Sequence, residues 1–266
     1  MVNFKDNDRP FVIGMVHARP LPGSYRYGEY SMDEVIERAK EEAKLLEASG
    51  VDGLQIENMW DFPYAKGEDI GPETVAGLTA VAREVKNSVD IPIGINCHLN
   101  GGLQALAVAE AVGAEWIRVF SWVNGYISNV GYVEGIASQV MDLKKRLGSD
   151  SIKVLADIMV KHGSHEIAGD RTLAERYEDA ELYQADGVIV TGTETGSSPS
   201  PESVEKLQGD SELPLFVGSG LTADNIGDYF DYIDGCIVGS YFKEKGNWDE
   251  PVSGKRTKKF MKNLKK

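Results

Sequence analysis

Eight short apolar runs, each rich in β-branched residues, recur along this chain with helix-like stretches between them. The runs are FVIGMVH (11–17), GLQIEN (53–58), PIGINCH (92–98), WIRVFSW (116–122), KVLADIM (153–159), GVIVTG (187–192), PLFVGSG (214–220) and GCIVGSYF (235–242). The stretches between include SMDEVIERAKEEAKLLEASG (31–50), PETVAGLTAVAREVKNS (72–88), GYVEGIASQVMDLKKRLG (131–148) and TLAERYEDAELYQA (172–185). In the first of these, Ser31 predicts an N-cap, Glu34 completes a capping box and Gly50 closes the helix. Eight strands alternating with helices, without a linker or low-complexity segment, predict an α/β fold: one (βα)8 TIM barrel spanning 1–266. A doubly wound sheet is the alternative, but it usually has fewer strands and would carry its glycine fingerprint early.

The length of 266 residues suits such a barrel, which takes about 250. The opening MVNFKDNDRP has no apolar stretch, so neither a secretory leader nor a transmembrane helix is expected. Cys97 and Cys236 sit inside strand-like runs and read as buried thiols of a reducing compartment, which makes cytoplasm the expected location. The net charge is −14, yet residues 253–266 carry seven Lys/Arg and no Asp/Glu. An acidic body argues against nucleic acid as the main partner. The basic tail has Phe260 and Leu264 one helical turn apart. Peripheral contact with an anionic membrane is one reading; a final helix that packs those two residues and solvates its lysines is the one we prefer.

Alternation within each strand sorts its residues between two faces. Leu54 and Ile56 oppose Gln55 and Glu57; Ile93 and Ile95 oppose Gly94, Asn96 and His98; Ile117 and Val119 oppose Arg118. Val154, Ala156 and Ile158 oppose Asp157, and Val188 and Val190 oppose Thr191. If the apolar face packs on the helices, the polar face points into the barrel. Glu57, Asn96, His98, Arg118, Asp157 and Thr191 then share one interior, joined by His17 at the end of the first strand. Catalytic groups of such barrels come from the ends of several strands. Glu57, Asp157, His17 and His98 are accordingly the candidate catalytic residues, and two carboxylates, a guanidinium and two imidazoles are more than neutralisation needs. A structural reading stands beside this one for Arg118: a buried cation neutralised by Glu57 or Asp157. His162 and His165 in VKHGSH follow the fifth strand as loop acids, ligands or surface residues.

The seventh and eighth runs end in glycine-bearing turns, PLFVGSGLTADN (214–225) and GCIVGSYF (235–242). Loops at these positions of a βα-barrel commonly hold a phosphate, using backbone N–H groups in place of basic side chains. Gly218, Ser219, Gly220, Gly239 and Ser240 are the candidate phosphate ligands, with Gly192 after the sixth strand. The first (18–30), second (59–71) and fourth (123–131) loops are long and aromatic, and the sixth, TGTETGSSPSP, is polar and glycine-rich. Such loops can close over a substrate.

Several chemistries are disfavoured. Gly218–Ala223 matches G-x-G-x-x-A formally, but only one strand follows it, so no nicotinamide cofactor is expected; neither is pyridoxal phosphate. There is no P-loop and no G-x-S-x-G elbow, and His17 stands alone where a zinc hydrolase would want His-x-His. Cys97 alternates with His98 and should face the helices, against a Cys–His nucleophile. A Schiff-base lysine is available only as Lys161, beyond the core of the fifth strand. A divalent metal held by Glu57, His98 or Asp157 stays open, with Mg²⁺ or Mn²⁺ suited to the carboxylates. What survives is proton transfer on a small anionic, phosphorylated ligand.

With MVHARPLPG (15–23), IEN (56–58), ADIMVKHGSH (156–165) and VTGTETG (190–196), the chain resembles the BtpA/SgcQ family from about Phe11 to Lys243. The resemblance implies a phosphate-binding βα-barrel, similar to the ribulose-phosphate-binding barrels. It carries His17, Pro20, Pro22, Gly23, Glu57, Asn58, Asp157, Lys161, His162, Thr191 and Gly192 as matching positions, with no established catalytic assignment. Asn58, Asn96, Arg118, Lys161, His162 and Thr191 are taken as substrate-binding candidates. One branch of the family is linked to photosystem I biogenesis and the other to a bacterial sugar-utilisation cluster. Two expectations follow: an enzyme of isomerase, epimerase, lyase or hydrolase type acting on a phosphorylated sugar-like metabolite, or a non-catalytic assembly factor for a membrane complex such as photosystem I. Barrels of this kind often form homo-oligomers.

Overall fold

The computed structural model describes residues 2–5, 8–192, 198–207 and 212–264. Eight parallel strands close into a barrel: β1 (Phe11–His17), β2 (Gly53–Glu57), β3 (Ile93–Asn96), β4 (Trp116–Val119), β7 (Lys153–Met159), β8 (Gly187–Val190), β9 (Leu215–Val217) and β10 (Gly235–Val238). Each of the eight runs contains one strand. Most strands are shorter than their run, because the last residues of the run turn into the loop that carries the polar groups. Helices α1 (Met32–Glu47), α2 (Pro72–Lys86), α3 (Gly102–Val112), α4 (Ala137–Leu147) and α5 (Leu173–Leu182) alternate with the strands of the first two-thirds. The later connections are reduced to α6 (Pro201–Glu205) and single 3-10 turns. The chain then forms α7 (Gly254–Asn263).

Local chemistry explains the boundaries. The Ser31–Glu34 capping box is formed, with both reciprocal hydrogen bonds present. Gly50 sits at φ +93° two residues beyond the Ala48 C-cap, a conformation that an L side chain resists. The stretch 131–148 is helical only from Ala137; Gly131–Val133 (β6) pairs antiparallel with Tyr126–Ser128 (β5) in a hairpin. The apolar spacing of YVEGIASQV suits either state, and the Tyr126–Val133 pairing decides it.

The barrel interior corrects the expectation that only polar side chains point inward. Ile13, Met15, Trp116, Leu155, Ile189, Phe216 and Ile237 form an apolar layer in which Phe11 and Phe4 also pack. The ring of Phe4 meets those of Phe11, Trp116 and Phe216 edge-on, with centroids 5.1–5.8 Å apart. Trp116 donates its indole N–H to Gln55 Oε1 at 2.8 Å, and a side chain at Gly94 would overlap that indole. The interior is therefore stratified, apolar beneath and polar at the C-terminal ends of the strands.

The tail follows the preferred packing reading. Phe260 and Leu264 are almost fully buried, while Lys258, Lys259 and Lys262 face solvent. Among the described residues no helix is long and apolar enough to cross a membrane.

Candidate active site

A cavity of about 250 Å³ opens at the C-terminal ends of the strands. It is lined by His17 from the end of β1, Glu57 from the end of β2, Arg118 from β4 and Lys161 beyond β7. Gly218–Thr222 after β9 and Gly239–Tyr241 after β10 line it as well. The candidate phosphate loops and the candidate reactive groups thus face one space.

The glycine loops leave donors free. Among the described residues, nothing accepts from the backbone N–H of Gly220 or Leu221. Gly220 is at φ +77°, and a Cβ at Gly218 would press on Ile189, Thr191 and the Arg118 guanidinium. A Cβ at Gly239 would stand 3.5 Å from His17 Cε1, so this loop also passes against a site side chain. The Gly192 N–H donates to Ser219 Oγ at 3.4 Å, tying the loop after β8 to the next one.

Glu57 Oε1 is 2.9 Å from His98 Nε2, while Glu57 Oε2 is buried without a partner among the described residues. Burial works against the Glu57 charge, but His98 and the Arg118 guanidinium outweigh it. The carboxyl is held well below the usual range and is ionised at neutral pH. The His98 ring stacks on Tyr64 at 4.4 Å and meets Phe120 edge-on. His17 Nδ1 lies 3.3 Å from the Trp248 carbonyl, which can only accept, so Nδ1 carries the proton and Nε2 keeps its lone pair. Burial, aided by the ammonium of Lys243, pushes His17 down to about 3 and keeps it neutral.

Arg118 donates from Nε and Nη2 to the two carboxylate oxygens of Asp157, both at 2.8 Å. Asp157 is buried beneath Arg118 and does not line the cavity. Burial disfavours the Arg118 charge, but the Asp157 charge and its hydrogen bonds prevail and keep it cationic. In the β7–β8 ladder, Asp157 pairs with Ile189 and Met159 with Val190, a bulge just before Lys161.

The remaining candidates stand around this centre. Asn96 donates to the Arg118 carbonyl, and Thr191 Oγ1 to the Met159 carbonyl. Asn58 accepts from the His98 N–H at 2.7 Å and donates to Asp61 at 2.8 Å, beside a smaller neighbouring cavity of about 80 Å³. His162 is exposed and lies outside the lining of the main cavity. His165 is stacked on Tyr126 and bonded to the backbone of Val160. Residues Thr193–Ser197 of the sixth loop lie outside the described residues. Among the described residues no three His, Cys, Asp or Glu side chains are arranged to hold a metal ion. Of the residues suited to Mg²⁺ or Mn²⁺, Glu57 is paired with His98, and Asp157 with Arg118.

Trp248 and Arg256 are among the lining residues that the sequence does not single out. Trp248 packs on Trp60, with centroids 4.9 Å apart, joining the second loop to the last. Arg256 of α7 lines the cavity beside Gly246, donating from Nε to the Tyr241 carbonyl at 2.7 Å. Its position four residues before Phe260 was a usable signal: one helix face carries Arg256, Phe260 and Leu264 together.

This is the architecture of a (βα)8 barrel with a pocket at the C-terminal ends of its strands. The chain belongs to the BtpA family, whose profile matches residues 8–266. An uncharacterized Pyrococcus furiosus protein is 40% identical over 252 residues, covering 93% of this chain and 92% of that protein. The photosystem I biogenesis protein BtpA of Synechocystis is 38% identical over 252 residues, 94% of this chain and 86% of its own. Among solved structures, N-(5'-phosphoribosyl)anthranilate isomerase from Pyrococcus furiosus superposes with a TM-score of 0.57. It is 17% identical, covering 96% of this chain and 98% of that one, a likeness of fold.

Proposed function

We propose that this protein is an enzyme that binds a small phosphorylated, sugar-like metabolite and acts on it by proton transfer. The observation that carries the reading is the shared cavity, lined by Gly220 and Leu221, whose N–H groups are unengaged among the described residues, by Arg256, and by His17, Glu57 and Arg118. The phosphoryl group sits at the glycine loops and the reacting end reaches the strand termini. Glu57 Oε2 receives a proton from the substrate or stabilises positive charge developing there, with His98 orienting the carboxylate. His17 Nε2 accepts a hydrogen bond from a substrate hydroxyl. Arg118, held by Asp157, stabilises negative charge on a carbonyl or hydroxyl oxygen. A structural neighbour named for a phosphoribosyl substrate is consistent with this class of ligand. Isomerisation, epimerisation and bond cleavage all use these parts.

The test is thermal stability of the purified protein against phosphosugars, their dephosphorylated counterparts and inorganic phosphate, each with and without Mg²⁺ or Mn²⁺. Stabilisation that requires the phosphoryl group is expected, because a ligand of the native state raises stability by mass action. No shift with any member would defeat the reading.

A second reading follows the Synechocystis relative, a photosystem I biogenesis protein: an accessory factor in that process. It expects association with a membrane complex that does not depend on Glu57. The burial of Phe260 and Leu264 leaves α7 no free apolar face for the membrane contact considered for the tail. Unchanged partner association in a Glu57→Gln variant, together with no phosphosugar binding, would favour this second reading.

A further inference from the structure

The third cation of the cavity has no role in that scheme. Lys161 lines the cavity together with Glu57, Arg118 and the glycine loops. Its ammonium has no hydrogen bond or ion pair among the described residues. The two most buried lysines are each matched to a carboxylate, Lys144 to Asp186 at 3.7 Å and Lys243 to Glu42. Burial, then the nearby Arg118 charge, pushes the Lys161 ammonium below the ordinary lysine value. An unmatched amine aimed into a ligand cavity beside a carboxylate is built for something other than packing.

We propose that Lys161 is a nucleophilic amine that condenses with the carbonyl carbon of a phosphorylated aldehyde or ketone bound in this cavity. The inference rests on the phosphate-binding reading above and adds to it the substrate class, a carbonyl compound, and the covalent step. The Nζ–C bond forms as the C=O bond breaks. Starting from the ammonium, two nitrogen protons end on the carbonyl oxygen, which leaves as water; the third remains on the iminium nitrogen. Glu57 Oε2 relays protons between nitrogen and oxygen, and its negative charge offsets the iminium. The iminium then draws electrons from the adjacent carbon, which is what proton abstraction or carbon–carbon cleavage beside a carbonyl requires. No oxidant or reductant is consumed.

The experiment is borohydride trapping. The full chain is incubated with dihydroxyacetone phosphate or ribose 5-phosphate, and with unphosphorylated dihydroxyacetone, then reduced with sodium borohydride and mapped by peptide mass spectrometry. A phosphate-dependent adduct on Lys161 is expected, at least tenfold above that on any other lysine. It should be absent from Lys161→Met and Lys161→Arg, whose folding is verified by their melting temperatures. Thermal stabilisation by the same compounds without an adduct at Lys161 would overturn the proposal and leave the phosphate-binding reading standing. Neither stabilisation nor an adduct would count against both. Adducts spread equally over surface lysines, unchanged in Lys161→Met, would also overturn it.

Discussion

Arg118 and Asp157 lie flat against each other, each carboxylate oxygen accepting one 2.8 Å hydrogen bond from the guanidinium. The pair crosses from β4 to β7 and sets Arg118 at the cavity floor. Removing one partner from a buried pair leaves an uncompensated charge, at a cost of about 3–5 kcal/mol. Asp157→Asn should lose roughly that much in urea denaturation. The double variant Arg118→Met/Asp157→Leu should recover most of it, because both charges are gone. A double variant no more stable than Asp157→Asn would mean that packing, rather than the ion pair, sets the loss.

The His17 imidazole sets a pH window. Its folded value, about 3, lies below the ordinary 6.5, so the unfolded chain binds the extra proton between these limits. Stability is therefore unaffected by this group above pH 6.5 and falls on acidification below it. Half-buried His165, lowered in the same direction, adds to the loss. Glu57 enters later: its folded value is depressed, so the stability it contributes is lost only as pH falls from about 4.5 towards that value. Denaturation of His17→Gln between pH 6.5 and 4.5 should give a visibly flatter profile than the parent; an equal slope would refute the assignment.

Gly220→Ala places a side chain at φ +77°. We expect a loss of about 1 kcal/mol in stability from backbone strain. The phosphate-dependent thermal shift should shrink as well, because the strained turn re-aims the free N–H groups. A variant that kept the full shift would remove this turn from the phosphate site.

Arg256→Ala leaves Phe260 and Leu264 in place, so the fold should hold. Loss of a charge-assisted contact to an anion corresponds to about 1.5–3 kcal/mol, or roughly 10- to 150-fold in affinity. Titration calorimetry with a binding phosphosugar measures it. Unchanged affinity would place the phosphoryl group away from α7.

Phe4→Ala tests the barrel floor. Emptying the space between Phe11, Trp116 and Phe216 should cost about 3–5 kcal/mol without changing phosphosugar affinity in the folded protein.

The eight strands were legible because each is a short β-branched run ending in a turn, a local signal. The inward face was half legible. Period two placed Glu57, Asn96 and Arg118 correctly on that face, but Ile13, Leu155 and Ile189 obey the same alternation and are apolar. Nothing local says at which height a closed barrel changes from apolar filling to polar groups. Partners were not legible: Arg118 had two carboxylates to choose from, and the choice of Asp157 depends on β4 lying next to β7. Arg256 was hidden because its charge marked it as surface, although its helical position relative to Phe260 put it on the packed face.

Phe4, near one end of the sequence, seals the barrel floor, while Arg256, near the other, stands beside the glycine loops. Arg256 reaches the cavity only when α7 packs Phe260 and Leu264 against the barrel. On the phosphate-binding reading, an anion held there would tie the docking of α7 to the stability of the barrel, so that each reports on the other.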